Sequence, residues 1–132
     1  MLPQKQIQEI IEYWIKSSEE ALKTADTLLT SKRYLHCLFF CHLFIEKTLK
    51  GLVVKNTKDH PPYIHKLTKL AQCAELSLTE SQLTLLDELT AFNIEARYDS
   101  YKFELYHKAN KTYTKAYLTK AKELYLWLRK KA

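Results

Sequence analysis

The sequence predicts an all-α fold, an up-and-down helical bundle of about five helices in which residues 1–132 form a single domain. Glycine occurs once and proline three times in the 132 residues, whereas turn-rich β folds need many more of both. The good helix formers Leu, Lys, Ala and Glu are abundant. Two long segments also carry apolar residues at helical spacing, so each presents an apolar face that needs a partner.

The first helix is predicted from a long stripe whose members recur at steps of three and four residues. These residues are Ile7, Ile10, Ile11, Trp14, Ile15, Ser18, Ala21, Leu22, Ala25, Leu28 and Leu29. Charged residues fall on the opposite side, as on an amphipathic helix that packs on one face. The helix is expected to end at the short link Thr30-Ser31-Lys32.

The second helix, residues 33–55, is apolar on most sides and is therefore predicted to be the central helix. Gly51, the only glycine, lies inside it. Because glycine in a helix interior is about 1 kcal/mol less favourable than alanine, we expect close packing against a neighbouring helix as compensation. The excess apolar surface also predicts a homodimer.

Two spaced pairs on this helix invite chemical interpretations. Cys37 and Cys41 lie one turn apart, but without a matching second pair we expect core packing and neither a metal nor a cofactor. Glu46 and Lys50 form an i,i+4 pair, which we interpret as a solvated or subunit-facing salt bridge.

A loop over residues 56–63 is predicted because Pro61-Pro62 and the residue before them disfavour helix. A short third helix is expected over residues 64–75. His60 and His65 across this loop suggest a metal or phosphate site. The preferred interpretation is that His65, at the start of the helix, caps or braces it.

The fourth helix is predicted to begin with a capping box, in which Thr79 and Gln82 satisfy each other's backbone amides. It is expected to end near Arg97. A poorly periodic connector, residues 98–111, then leads to a closing helix over residues 112–130.

Charge and targeting signals limit the function classes. The formal net charge of +6 attracts polyanions. Three cysteines, an odd number, argue against a disulfide framework. No signal-peptide core and no run of membrane-spanning length is evident, so a cytoplasmic protein without a membrane partner is expected. Glycine-rich phosphate loops and nucleophile elbows are absent from the sequence.

The connector mixes cations with aromatic rings. The cations are Arg97, Lys102, Lys108 and Lys111, and the aromatic residues are Tyr98, Tyr101, Phe103 and Tyr106. Cations contact phosphates and aromatic rings stack on bases, so the mixture suits a nucleotide or single-stranded nucleic acid. The alternative is that Tyr98 and Phe103 belong to the core and the charges are solvated. Asp99 and His107 add titratable groups.

These segments together resemble a HEPN domain (higher eukaryotes and prokaryotes nucleotide-binding). The resemblance rests on Arg33-Tyr34, on residues 44–50 (Phe-Ile-Glu-Lys-Thr-Leu-Lys), on His65-Lys66-Leu67 and on Ala96-Arg97-Tyr98, and it covers about residues 12–129. It implies a helical bundle, usually a homodimer, that binds nucleotides or RNA. It also implies a minimal nucleotidyltransferase as the partner protein, often in a toxin–antitoxin system.

Catalytic members of this family are metal-independent ribonucleases with an arginine followed, after four to six residues, by a histidine. Here Arg97 is followed by nine residues before His107. The position of Arg97 fits the family motif, whereas the wider spacing leaves enzyme activity open.

Three hypotheses follow from the sequence. The first is a nucleotide- or RNA-binding HEPN subunit. The second is a ribonuclease toxin, with Arg97 and His107 as the catalytic pair. The third is a structural protein-interaction bundle. The predicted binding residues are Arg97, Tyr98, Asp99, Tyr101, Lys102 and Lys108.

Overall fold

The computed structural model describes residues 2–95 and 99–132, with the backbone alone at 99–101, and this part of the chain is helical without strands. Its helices are α1 (Gln4–Thr30), α2 (Tyr34–Thr57), α3 (Leu67–Cys73), α4 (Glu80–Glu95), α5 (Asp99–Lys108) and α6 (Lys111–Arg129). The predicted all-α bundle is confirmed, and the described residues form six helices, close to the expected five.

The pairing of α1 with α2 is the most extensive contact of the bundle. A three-residue link, 31–33, joins the two helices and turns the chain back on itself. A Cβ atom on Gly51 would lie only 3.1 Å from Ile15 Cδ1. The predicted role of this glycine, to let α1 approach α2 closely, is therefore confirmed.

α2 is the central helix, as its sequence predicts, and packs against α1, α3, α4, α5 and α6. Phe44, Ile45 and Leu49 have no exposed surface. Intrachain packing therefore uses most of the apolar surface from which a homodimer is predicted.

α3 begins later than predicted, at Leu67 instead of residue 64. The two prolines at 61–62 and the extended backbone of Lys66 delay its start. The Leu67 amide then donates to Thr90 Oγ1 of α4 at 3.2 Å, which ties the start of α3 to its neighbour.

The capping box at the start of α4 is confirmed by two reciprocal hydrogen bonds. The Thr79 amide donates to Gln82 Oε1 at 2.9 Å, and the Gln82 amide donates to Thr79 Oγ1 at 3.1 Å. Two orphan amides of the first turn are thus satisfied, as the four-residue pattern predicts.

The prediction of an irregular connector is wrong for residues 99–108, which form the helix α5. Periodicity did not reveal α5 because, among its described side chains, only Leu105 is buried, with Ala109 just beyond it. A single anchor gives no repeating apolar stripe. Asn110 separates α5 from α6, and its Oδ1 accepts the Tyr113 amide at 2.9 Å as an N-cap.

No helix in the described parts of the chain is long and apolar enough to cross a membrane.

Candidate ligand-binding cleft

The predicted catalytic and binding residues fall into three groups in the structure. Arg97 and Tyr98 lie outside the described residues. Asp99 and Tyr101 are described only as backbone positions in the first turn of α5. Lys102 is half-buried, and His107 and Lys108 are exposed on the same helix.

Lys102 and His107 line a cleft between α5 and the link that joins α1 to α2; we call it the corner cleft. Its volume is about 640 Å³. The residues that line it are Lys32, Arg33, Tyr34, Leu35, His36, Lys102, Tyr106, His107, Ala109 and Asn110. Lys108, also predicted to bind, does not line it. The cleft thus joins sequence segments that are about 65 residues apart.

The end of α1 places Lys32 at the mouth of this cleft. The Arg33 amide donates to Leu28 O at 2.8 Å, and the Lys32 amide donates to Leu29 O at 3.1 Å. These two bonds form a Schellman motif, in which the residue after the helix C-cap adopts a left-handed backbone conformation. Lys32 accordingly has φ of 63°. Arg33 follows directly as the N-cap residue of α2.

Lys32, Arg33 and His36 line the cleft but are not among the binding residues that the sequence predicts. The sequence contains a signal for them: the link is basic and joins two long antiparallel helices. Such a link lies at one end of the bundle, where α1 ends and α2 begins. The mixture of cations and aromatic rings that predicts a site, by contrast, occurs in the connector.

The electrostatic character of the corner cleft is uniformly positive or neutral. Lys32, Arg33 and Lys102 contribute three basic side chains, and no Asp or Glu is among the lining residues. Within the described residues, no ion pair or side-chain hydrogen bond engages these three cations. The side chains of such a cleft can donate hydrogen bonds to an anion, and the planar guanidinium of arginine suits phosphate in particular.

A smaller lysine-lined hollow at the opposite end of the bundle differs in this respect. Lys55 Nζ donates to Lys131 O at 2.8 Å, and Lys58 Nζ donates to Lys55 O at 2.8 Å. These ammonium groups therefore satisfy carbonyls near helix C-termini, where cations are favourable. The corner cleft has no such structural use for its cations.

His107 stands among aromatic rings on α5. Its ring is edge-on to Phe103, with centroids 4.6 Å apart, and edge-on to Tyr106 at 5.9 Å. The imidazole remains exposed. The predicted alternative, that Phe103 belongs to the core, is wrong, because 68 % of its surface is exposed.

A second polar cluster lies inside the bundle and centres on Glu46, which is 4 % exposed. Lys50 Nζ donates to Glu46 Oε2 at 2.9 Å, and His65 Nδ1 donates to Glu46 Oε1 at 2.9 Å. His42 Nε2 lies 3.5 Å from the same carboxylate oxygen and donates to His65 O at 3.0 Å. The Glu46–Lys50 pair is therefore present as predicted, but it is buried and not solvated.

This Glu46 cluster has a structural role. Burial raises the pKa of the Glu46 carboxyl, but the hydrogen bonds from Lys50 and His65 and the nearby His42 outweigh burial and lower it. The cluster joins α2 to the residues that precede α3. His65 thus braces the start of that helix, as its position in the sequence predicts.

Cys37 and Cys41 are fully buried, which agrees with the predicted core packing. The hydrogen bond with Cys37, together with burial, raises the pKa of the Cys41 thiol, so this thiol stays protonated. No group of metal-ligating side chains occurs in the described parts of the chain.

Comparisons with known proteins agree with this architecture. The family model described as HEPN domain matches residues 11–131. The solved structure of TT1696 from Thermus thermophilus superposes with a TM-score of 0.77 at 17 % identity, covering 92 % of this chain and 98 % of that one. At that identity the likeness concerns the fold. No curated protein matches the chain. Because the family model spans nearly the whole sequence, this chain belongs to the HEPN domain family.

Proposed function

We propose that this protein is a nucleotide- or RNA-binding HEPN subunit and that the corner cleft receives phosphate groups of the ligand. The observation that carries the proposal is the set of three cations, Lys32, Arg33 and Lys102, around a cleft without acidic lining residues. Arg97 follows the end of α4 by two residues and precedes α5 by two. Its place in the chain therefore favours a contribution to the same site.

The family further supports a homodimer that acts with a minimal nucleotidyltransferase partner, in a system of the toxin–antitoxin type. α5 lines the corner cleft, so a partner protein that binds this end of the bundle would adjoin the ligand. In this proposal the partner and the ligand act at the same end of the bundle.

A metal-independent ribonuclease is the second candidate, and the position of His107 in the corner cleft favours it. An exposed imidazole can donate or accept the proton that transfers during phosphodiester cleavage. Arg97 would bind the scissile phosphate. α5 lies between Arg97 and His107 in the sequence, and His107, near its end, lines the corner cleft beside the link between α1 and α2.

The two functions differ in the effect of two substitutions. Fluorescence polarisation with labelled RNA and a gel assay for cleavage would be carried out on the wild type, Arg97→Ala and His107→Ala. For a binding subunit, Arg97→Ala weakens binding, His107→Ala changes little, and no RNA is cleaved. For a ribonuclease, both substitutions reduce cleavage by about two to four orders of magnitude.

Two results would contradict the proposal. Unchanged binding by a folded Arg97→Ala variant would remove Arg97 from the site. Failure of the wild type to bind any nucleotide or RNA would favour the third hypothesis, a structural interaction bundle.

A further inference from the structure

The corner cleft continues into a second, smaller hollow beside α5. This hollow has a volume of about 260 Å³ and is lined by Leu35, Lys102, Phe103 and Tyr106. Three of these residues, all except Phe103, also line the corner cleft. The two spaces therefore form one continuous surface, with cations on one side and apolar side chains on the other.

The two aromatic residues of the hollow are far more exposed than aromatic residues packed in the core would be. Phe103 is 68 % and Tyr106 is 69 % exposed, although Leu105 between them is buried. Within the described residues, both rings have ring–ring contacts with His107 alone. α5 is therefore attached through Leu105 and turns its aromatic rings outward, beside the cleft.

The charge around these rings identifies the kind of occupant. The adjoining cations Lys32, Arg33 and Lys102 have no acidic partner in the cleft. Glu104, the nearest described carboxylate along α5, lines neither space. An occupant that matches both halves has a negatively charged backbone and flat, exposed aromatic groups. A duplex shows its phosphates but keeps its bases stacked inside, whereas a single strand offers both.

We propose that the hollow of Leu35, Phe103 and Tyr106 is a stacking subsite for one unpaired base of a single-stranded polynucleotide. The adjacent phosphates lie on Lys32 and Arg33 in the corner cleft. This inference rests on the proposed function. It adds the residues that contact a base, whereas the cations of the corner cleft contact phosphates. Stacking is tolerant of base identity, so the subsite recognises an unpaired base without reading its sequence.

The test compares two polyanions that differ in having bases. A fluorescein-labelled oligouridylate of about 12 nucleotides, a length within known single-strand site sizes, is titrated with protein. Inorganic polyphosphate is then used as a competitor without bases. The variants are Phe103→Ala and Tyr106→Ala, with Phe103→Tyr and Tyr106→Phe as ring-retaining partners. Tyr63→Ala is the control, because Tyr63 is fully exposed but lies outside both spaces.

The alanine variants are expected to weaken oligouridylate binding about tenfold each, as loss of one stacked base would. Polyphosphate binding should stay within about twofold of wild type, because no cation is removed. The ring-retaining variants and Tyr63→Ala should bind like wild type. Circular dichroism checks that each variant is folded.

Three outcomes would overturn the inference in distinguishable ways. Equal loss of both polyanions, or no loss of oligouridylate, would remove the stacking subsite while leaving the proposed function intact. If the wild type binds neither polyanion, the proposed function fails and the subsite fails with it. If light scattering shows that the alanine variants convert a dimer to a monomer at unchanged RNA affinity, a second copy of the chain covers the hollow instead.

Discussion

Glu46 places a carboxylate inside the bundle, where an unpaired charge would be expensive. The structure avoids that cost by giving each carboxylate oxygen a donor, Lys50 on one side and His65 on the other, both at 2.9 Å. His42 donates to the backbone of His65 and so closes the cluster. One side chain on α2 thereby fixes the proline-containing loop and the start of α3.

Glu46→Gln is expected to lower the free energy of unfolding by about 3 kcal/mol at pH 7. The substitution keeps the shape of the side chain but leaves the buried Lys50 ammonium without its counter-charge. Urea denaturation measures the change. Lys23→Ala is the control, because the Lys23–Glu20 pair is exposed and should contribute less than about 1 kcal/mol. A Glu46→Gln variant as stable as the control would show that the cluster does not stabilise the fold.

The same variant predicts a pH dependence. Since the folded-state pKa of Glu46 is lowered, its stabilising effect is complete above the ordinary value of 4.5 and is lost as the pH falls through the lowered value. The difference in stability between wild type and Glu46→Gln should therefore shrink in acid, below about pH 4.5. A difference that grows on acidification would contradict the sign of the shift.

At the scale of the elements, two helices end in the same way without a glycine. The Leu76 amide donates to Ala71 O and the Glu75 amide donates to Gln72 O, which repeats at the end of α3 the Schellman motif that ends α1. Lys32 and Glu75 occupy the left-handed position, with φ of 63° and 55°. Glycine is usual there because a side chain makes this backbone costly.

Lys32→Gly and Glu75→Gly should each raise the free energy of unfolding by about 1 kcal/mol by relieving this cost. Their effects on binding should differ, because Lys32 lines the corner cleft and Glu75 does not. Lys32→Gly is therefore expected to weaken RNA binding while stabilising the fold. Thermal unfolding and fluorescence polarisation measure the two quantities. Equal RNA affinities for the two variants would remove Lys32 from the ligand site.

The contrast between α4 and α5 explains what the sequence could predict among the elements. α4 begins with a capping box, a local pattern that Thr79 and Gln82 specify by themselves. α5 is held through Leu105, whose burial depends on residues far away in the chain. Local patterns predict local hydrogen bonds, whereas a helix with a single buried anchor carries no periodic signal.

At the scale of the whole molecule, the same distinction applies to the proposed ligand site. The sequence predicts Lys102 in the site from the mixture of cations and aromatic rings around it, and His107 from its position after Arg97. Both line the corner cleft. Arg33 lines the same cleft, although α2, α3 and α4 lie between it and those two residues in the sequence. Its proximity follows from the packing of the bundle, which places the basic link between α1 and α2 beside α5, and the basic link alone does not predict that neighbour.

Two substitutions distinguish RNA binding that depends on the net charge of the whole chain from binding that depends on the cations of the corner cleft. Arg33→Gln and Lys115→Gln each lower the formal net charge of +6 by one, but only Arg33 lines the corner cleft, whereas Lys115 is exposed on α6.

If local phosphate contacts determine affinity, Arg33→Gln should weaken RNA binding and reduce the slope of log K against log salt by about 0.7, the value for one phosphate contact on a single strand. Lys115→Gln should leave that slope unchanged, because a lysine that contacts no phosphate releases no counterion from the polyanion. Titrations at several salt concentrations measure both slopes. Equal reductions in the two variants would mean that the net charge attracts the polyanion and that the corner cleft does not bind it specifically.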